Sequence, residues 1–165
     1  MEASIRRIVA SDWREMKRVR LAALAADRMA FGSTLEAERA FGDDVWIDRA
    51  RVSATSLERA AWAAFDPDGR MLGMMGVHVT AEGAKLFGSW VHPAARGTGL
   101  GGRMLDALVA WVETQHPGAT LSLSVNPTFA AAVRLYQSRG FAPTGASEPI
   151  AHAPGARCAE MIRRA

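Results

Sequence analysis

Residues 90–105 constrain the fold of this chain more than any other segment. They pass from a short apolar run through Pro93 to Arg96, then to four glycines within six positions, and then to an apolar helical pattern. Glycines at a helix entrance let a ligand reach bare backbone N–H groups, and the first helical turn favours an anion. Such a segment forms either a tight strand-to-helix turn without a ligand or an anion site. Because Arg96 adds a permanent cation, the combination favours a phosphate-bearing ligand.

Length and composition are typical of one soluble globular domain spanning residues 1–165, with 49% hydrophobic and 22% charged residues. There is no secretory pattern at the N-terminus and no apolar run of membrane-spanning length. Cys158 is the only cysteine, which excludes an internal disulfide and favours a cytoplasmic location. The four histidines lack metal-ligand spacing, so we expect no metal site. The net charge is +3, but basic residues are not interleaved with aromatic ones, so we expect no nucleic-acid partner.

The hydrophobic period changes along the chain and predicts an α+β fold. Before the glycines it predicts a strand at 4–9, helices starting near 13 and 44, and antiparallel strands at 60–65, 71–79 and 86–92. Residues 31–38 have mixed signals that fit a loop, a short helix or both. After the glycines it predicts a helix at 100–112 and a parallel strand at 121–125. Asn126 and Pro127 then start a second helix, ended by Gly140, and strands at 141–144 and 157–162 enclose a loose loop at 146–156.

Two nucleotide-binding patterns fit the glycine-rich segment poorly. Residues 97–102 match G-x-G-x-x-G, but antiparallel strands precede them, and the next strand ends in Asn126 rather than in an acidic residue for a ribose. The Walker pattern fails because no Gly-Lys-Ser/Thr follows. A dinucleotide or P-loop nucleotide site is therefore not expected.

Two motifs at a matching separation resemble the GNAT family of N-acetyltransferases. The first is Arg96-x-x-Gly99-x-Gly101, and the second runs from Asn126 through Tyr136 to Gly140-Phe141. The order of elements resembles the family over nearly the whole chain, while the specific motifs cover residues 86–141. The resemblance implies a mixed sheet of about six or seven strands, with an antiparallel N-terminal part, a parallel pair at the cofactor site and about four helices.

The resemblance also implies an acetyl-CoA site on the glycine-rich segment. Backbone N–H groups of residues 96–101 would surround the pyrophosphate, and the fourth and fifth strands would separate beyond a bulge to admit the pantetheine arm. The Val91 N–H would stabilise the oxyanion, a contribution of roughly 3–4 kcal/mol. The implied cofactor-binding residues are Trp90, Val91, Arg96, Gly97, Thr98, Gly99, Leu100, Gly101, Gly102, Asn126 and Tyr136.

The sequence indicates fewer catalytic side chains than cofactor-binding residues. Helical spacing alone favours Tyr136 as a core aromatic, whereas the resemblance implies that it is the general acid for the departing thiolate. Many family members carry a glutamate base on the fourth strand, but residues 86–90 contain no carboxylate. Glu36 and Glu38 are alternative candidates for a base or for attracting a cationic amine, although most glutamates are simply solvated.

These features predict an acetyl-CoA-dependent N-acetyltransferase that acts on a primary amine of a small molecule or peptide by direct attack in a ternary complex. One alternative is a non-catalytic acyl-CoA-binding sensor, which the missing fourth-strand carboxylate favours and Tyr136 opposes. Another is a protein N-terminal or lysine acetyltransferase, which differs only in its acceptor. We expect no membrane partner, and the sequence leaves a homodimer open.

Overall fold

A seven-stranded mixed sheet forms the centre of the computed structural model, which describes residues 2–164. Its order is β1-β2-β3-β4-β5-β7-β6, and the β4–β5 pair is parallel while the other pairs in the described chain are antiparallel. The strands are β1 Ser4–Arg7, β2 Arg59–Phe65, β3 Met71–Thr80, β4 Gly83–Val91, β5 Leu121–Val125, β6 Ala142–Ile150 and β7 Ala153–Arg163. The predicted α+β architecture with a mixed sheet and a parallel pair is confirmed.

Helices cover both faces of the sheet. They are α1 Trp13–Ala26, α2 Leu35–Arg39, α3 Asp43–Thr55, α4 Leu100–Gln115 and α5 Ala130–Ser138. The first core cluster contains buried residues of α4 and α5, and the second contains buried residues of α1 and α3. Four helices were expected, and the fifth is the one-turn α2, which overlaps the segment 31–38 whose sequence signals were mixed. None of the described helices has the length and apolarity needed to cross a bilayer.

The apolar stripe of α4 anchors the first core cluster. Leu105, Leu108 and Val112 are fully buried against the sheet, as their helical spacing predicts. Burial of each such side chain is worth roughly 1.5–3 kcal/mol relative to exposure. This packing holds the N-terminus of α4 at the end of β4.

The parallel β4–β5 pair separates soon after it forms. Its register contains only Ala84 with Leu121 and Lys85 with Ser122 within the described chain. Between the partners of Gly76 and Met74 on β3, β4 contains one extra residue, which is a β-bulge. Gly88 lies in this bulge with a φ of 63°, a conformation that favours glycine. The expected bulge and separation of these strands are confirmed.

The C-terminal part differs from the prediction in two places. Most of the expected loose loop at 146–156 is strand, because β6 and β7 form a long hairpin. The signal was weak because β6 is an exposed edge strand, where Pro143 and Pro149 are tolerated. Asn126 does not cap α5, which begins at Ala130, because its Oδ1 instead accepts from the N–H and hydroxyl of Thr128 in a local turn.

Truncating the core stripe of α4 tests this packing. Leu108→Ala should lower the free energy of unfolding by about 2–5 kcal/mol, because it removes a fully buried side chain and leaves a cavity. Leu57→Ala is the matched control, since Leu57 is 61% exposed, and its effect should stay within about 0.5 kcal/mol. Urea unfolding of both variants measures the difference, and equal losses would contradict the described core.

Candidate functional site

A cavity of about 540 Å³ lies where β4 and β5 separate, and we call it the cleft. The second half of β4, the start of α4, the end of β5 and α5 line it. Residues 27–31, which follow α1 and which we call the covering segment, contribute three lining residues. The cleft brings together most of the residues selected from the two motifs, namely Trp90, Val91, Arg96, Gly97, Gly99, Leu100, Gly101, Gly102, Asn126 and Tyr136.

A run of backbone N–H groups lies at the entrance of α4. Within residues 2–164, the N–H groups of residues 97–102 have no hydrogen-bond acceptor. Gly99 precedes the helix with a φ of 85°, and no side chain caps the first turn. The Thr98 hydroxyl donates to the Ala95 carbonyl instead, and Thr98 does not line the cleft. Uncapped N–H groups and the positive end of a 16-residue helix form a binding site for an anion.

Arg96 makes contacts that the sequence did not predict. Its Nε donates to the Val91 carbonyl at 2.9 Å, and its Nη2 pairs with Asp27 at 2.5 Å. The Trp90 indole N–H donates to the same Asp27 oxygen at 2.7 Å. The sequence predicts Arg96 as a cation for a phosphate-bearing ligand, but in the structure its guanidinium joins the end of β4 to the covering segment.

Trp90 and Val91 differ in the direction of their backbone groups. The His92 N–H donates to the Leu72 carbonyl, so His92 directs its N–H group to β3. Trp90 lies two residues earlier on the strand and therefore directs its N–H group to β3 as well. Alternation then directs the Val91 N–H away from β3, towards the side where β5 has separated. Of the two residues, it is therefore Val91 whose N–H remains available to a ligand in the cleft, while its carbonyl accepts from Arg96.

Tyr136 reaches the cleft from α5 and is only 6% exposed. Its ring packs edge-on against Phe141 with centroids 5.9 Å apart. Burial raises the pKa of the Tyr136 phenol, and the neighbouring Ser89 side chain, on the β4 bulge, opposes that effect. The phenol is therefore protonated at neutral pH and can donate a proton. Ser89 carried no sequence signal, since its proximity depends on the bulge.

Two further side chains hold the covering segment. The Asn126 amide donates to the Met29 carbonyl at 3.2 Å, and His152 Nε2 lies 2.7 Å from the Phe31 carbonyl. Because a carbonyl only accepts, Nε2 of His152 must carry the proton. Asn126 thus lines the cleft as expected, but its amide and oxygen are engaged with protein groups. The roles of Asp27 and His152 could not be predicted, because their partners are far away in sequence.

The two glutamates of α2 have opposite environments. Glu36 is exposed and does not line the cleft, so the structure does not bring this candidate base to the site. Glu38 is 2% exposed and pairs with Arg20 at 2.8 Å and Arg49 at 3.1 Å. Burial alone would raise the pKa of Glu38, but the two guanidinium groups outweigh it and lower the pKa. Asp27 is the one acidic residue among the described residues that line the cleft.

A second cavity of about 280 Å³ adjoins the cleft. It lies between the sheet and the α1 and α3 helices, and Glu38 with its two arginines contributes to its wall. Met75, Phe87 and Gly88 line both cavities. The two cavities therefore meet at the β4 bulge.

Comparison with known proteins agrees with this geometry. Residues 21–141 match the Acetyltransferase (GNAT) family. No curated protein sequence matches the chain significantly. A GNAT-family acetyltransferase from Streptococcus pneumoniae superposes with a TM-score of 0.84 at 20% identity, covering 99% of this chain and 100% of that one.

Two similar structures were solved with acetyl-CoA. YncA from Salmonella typhimurium has a TM-score of 0.78 at 18% identity, with 99% of this chain and 94% of that chain covered. A phosphinothricin acetyltransferase from Sinorhizobium meliloti has a TM-score of 0.79 at 19% identity, with 99% and 89% covered. At these identities the similarity establishes the fold.

Neutralising Glu38 tests its buried ion pairs. Glu38→Gln should lower the free energy of unfolding at pH 7 by about 3 kcal/mol, because two guanidinium groups lose their anionic partner. The folded-state pKa lies below the ordinary 4.5, so this stabilisation is present above pH 4.5 and declines as the pH falls further. The difference in the free energy of unfolding between wild type and Glu38→Gln should therefore become smaller below pH 4.5. Glu36→Gln, the exposed control on the same helix, should change little, and a pH-independent gap in urea unfolding would contradict the pairing.

Proposed function

Because the chain belongs to the GNAT acetyltransferase family, we propose that it is an acetyl-CoA-dependent N-acetyltransferase. Its acceptor is a primary amine of a small molecule or peptide, which attacks directly in a ternary complex. The observation that carries the proposal is the run of unpaired N–H groups at residues 97–102, which opens onto a cleft that also contains Tyr136.

The chemistry of the cleft fits acetyl-CoA. The N–H groups of residues 97–102 and the positive end of α4 hold the diphosphate, and no acidic residue in the first turn opposes it. The gap between β4 and β5 receives the pantetheine arm. Acetyl-CoA supplies an acetyl group activated as a thioester. The presence of acetyl-CoA in the Salmonella and Sinorhizobium structures supports this assignment.

Val91 and Tyr136 act on the two atoms that gain negative charge during the transfer, which are the thioester oxygen and the departing sulfur. The Val91 N–H, directed away from β3, donates to the carbonyl oxygen of the thioester, a contribution of roughly 3–4 kcal/mol. Tyr136 gives its proton to the departing sulfur, and its raised pKa keeps that proton available at neutral pH. A bond forms between the amine nitrogen and the acetyl carbon, and the bond from that carbon to sulfur breaks. The proton that the nitrogen loses passes to solvent, from which the Tyr136 phenol regains its own proton.

The remaining residues of the site position these groups. Arg96 and Trp90 fix the end of β4 through Asp27, and Asn126 holds the covering segment. Glu36 receives no role as a base, since it is exposed and outside the cleft. The lack of an unpaired carboxylate among the described cleft residues favours a second candidate, a non-catalytic acyl-CoA sensor. Release of free thiol from acetyl-CoA with a panel of amines separates the enzyme from the sensor.

A matched pair of glycine substitutions tests the cofactor site. Gly99 and Gly118 have φ values of 85° and 82° with open space around each, so alanine should strain both similarly, by about 1–2 kcal/mol. Only Gly99 lies in the cleft. Gly99→Ala should raise the acetyl-CoA Kd about tenfold or more by misdirecting neighbouring N–H groups, whereas Gly118→Ala should leave it unchanged. Calorimetric titration gives both values, and equal Kd values would remove this segment from the site.

Removing the Tyr136 hydroxyl tests whether this residue is the general acid. Tyr136→Phe keeps the ring packing against Phe141 but removes the proton donor. We expect kcat to fall by roughly 10²-fold, in the range for general acid catalysis, with little change in the acetyl-CoA Kd. Thiol release measured with the best amine of the panel reports kcat. An unaltered kcat would mean that Tyr136 only packs.

A further inference from the structure

The second cavity has a surplus of cationic hydrogen-bond donors. Arg20, Arg49 and Arg59 line it, against the carboxylates of Glu38 and Asp48. Asp48 is exposed and pairs with Arg51, which does not line this cavity. The balance between donors and acceptors in the cavity therefore depends on Glu38.

The Glu38 carboxylate has little capacity left for a ligand. Its two oxygens accept four hydrogen bonds, three from Arg20 at 2.8–3.2 Å and one from Arg49 at 3.1 Å. A carboxylate so fully engaged, at 2% exposure, is a weak base and a weak ligand for an ammonium group. Its effect is to orient the two guanidinium groups.

Several donors around the cavity have no acceptor within residues 2–164. Arg20 Nη1 makes no hydrogen bond and lies 3.8 Å from the position that a Cβ would take on Gly88, at the β4 bulge. Arg59 is exposed, its side chain also makes no hydrogen bond, and its guanidinium stacks 5.3 Å from the Phe87 ring centroid. Trp46 is fully buried, yet its indole N–H has no partner. The free N–H groups of Arg20 and Arg59 can pair with an acceptor group on a ligand, whereas the Trp46 N–H is too deeply buried to reach one.

We propose that the second cavity is the acceptor site and that it selects an amine carrying a carboxylate, as in a free amino acid. This inference rests on the proposed acetyltransferase function and specifies its substrate class. The carboxylate pairs with Arg20 Nη1 and the Arg59 guanidinium, which flank Phe87 and Gly88. The amine is then directed across the bulge, where the second cavity meets the cleft and Ser89 and Tyr136 lie.

The size of the cavity supports a small acceptor. Its volume of about 280 Å³ is at the lower limit of the roughly 300–1,000 Å³ that is typical of small-molecule sites. A carboxylate in this space could pair with Arg20 Nη1 and Arg59, whereas an amine without a carboxylate would leave both without an acceptor. Sites built to bond a charged group reject analogues that lack it by large factors.

Amines that differ only in the carboxylate test whether the second cavity selects this group. Each of the common amino acids is compared with its methyl ester and with the amine that remains after decarboxylation, by thiol release from acetyl-CoA. For the preferred amino acid we expect kcat/KM to exceed that of both analogues by about 10²-fold or more. The ester amine is less basic and intrinsically easier to deprotonate, so a preference for the acid cannot come from nucleophile availability.

Substitution of Arg59 tests where the carboxylate of the acceptor binds. Arg59→Met removes a cation that is unpaired in the described chain and keeps the side-chain length, so folding should be retained. We expect the KM for the amino acid to rise about three- to tenfold, with no change for the decarboxylated amine or for acetyl-CoA. Arg14→Met is the control, because Arg14 is exposed, stacks on Trp13 and lines neither cavity.

The outcomes separate this inference from the function on which it rests. If esters or decarboxylated amines are acetylated as well as the acids, or if Arg59→Met affects all amines equally, selection for a carboxylate is wrong while the acetyltransferase function stands. If acetyl-CoA binds but no amine releases thiol, the enzymatic function fails, and the acceptor site fails with it.

Discussion

The short parallel pairing of β4 with β5 is the constraint on which the rest of the site depends. The pairing ends at Lys85 and Ser122, and the bulge at Gly88 then turns β4 away from its neighbour. Beyond this point β4 remains paired with β3 and β5 with β7, but the edges of β4 and β5 that face each other have no strand to pair with. The sheet therefore contains a polar edge inside the protein. A buried edge of this kind requires hydrogen-bond partners, and the cleft is where a ligand can supply them. The N-terminus of α4 opens onto the same cleft.

Long-range side-chain contacts hold the covering segment against this gap. Asp27 receives hydrogen bonds from Trp90 and Arg96, and the backbone of the covering segment is held by Asn126 and His152. Each contact joins residues that are 63 or more positions apart in sequence. The end of β4, the turn that precedes α4 and the segment after α1 are therefore coupled, and loss of one contact should loosen the cleft without unfolding the core.

The two cavities present positive charge by different means. At the cleft, backbone N–H groups and a helix terminus offer partial charges that suit a diphosphate and demand glycine at Gly97 and Gly99. In the second cavity, full charges on guanidinium groups are oriented by the buried carboxylate of Glu38. Because the cavities meet at Gly88, a donor held by one and an acceptor held by the other would approach each other at the β4 bulge.

Local sequence patterns determined most of the order of strands and helices along the chain, the glycine-rich entrance of α4 and the pair of motifs around Arg96 and Tyr136. They could do so because periodicity and glycine content act over a few residues. Tertiary structure alone decided which charged groups became buried. Glu36 and Glu38 lie two positions apart, yet only Glu38 faces Arg20 and Arg49, since the orientation of α2 depends on its packing. The Asp27 contacts and the β6–β7 hairpin also depend on distant partners. Their energy comes from segments that meet only after folding, so no local pattern encodes them.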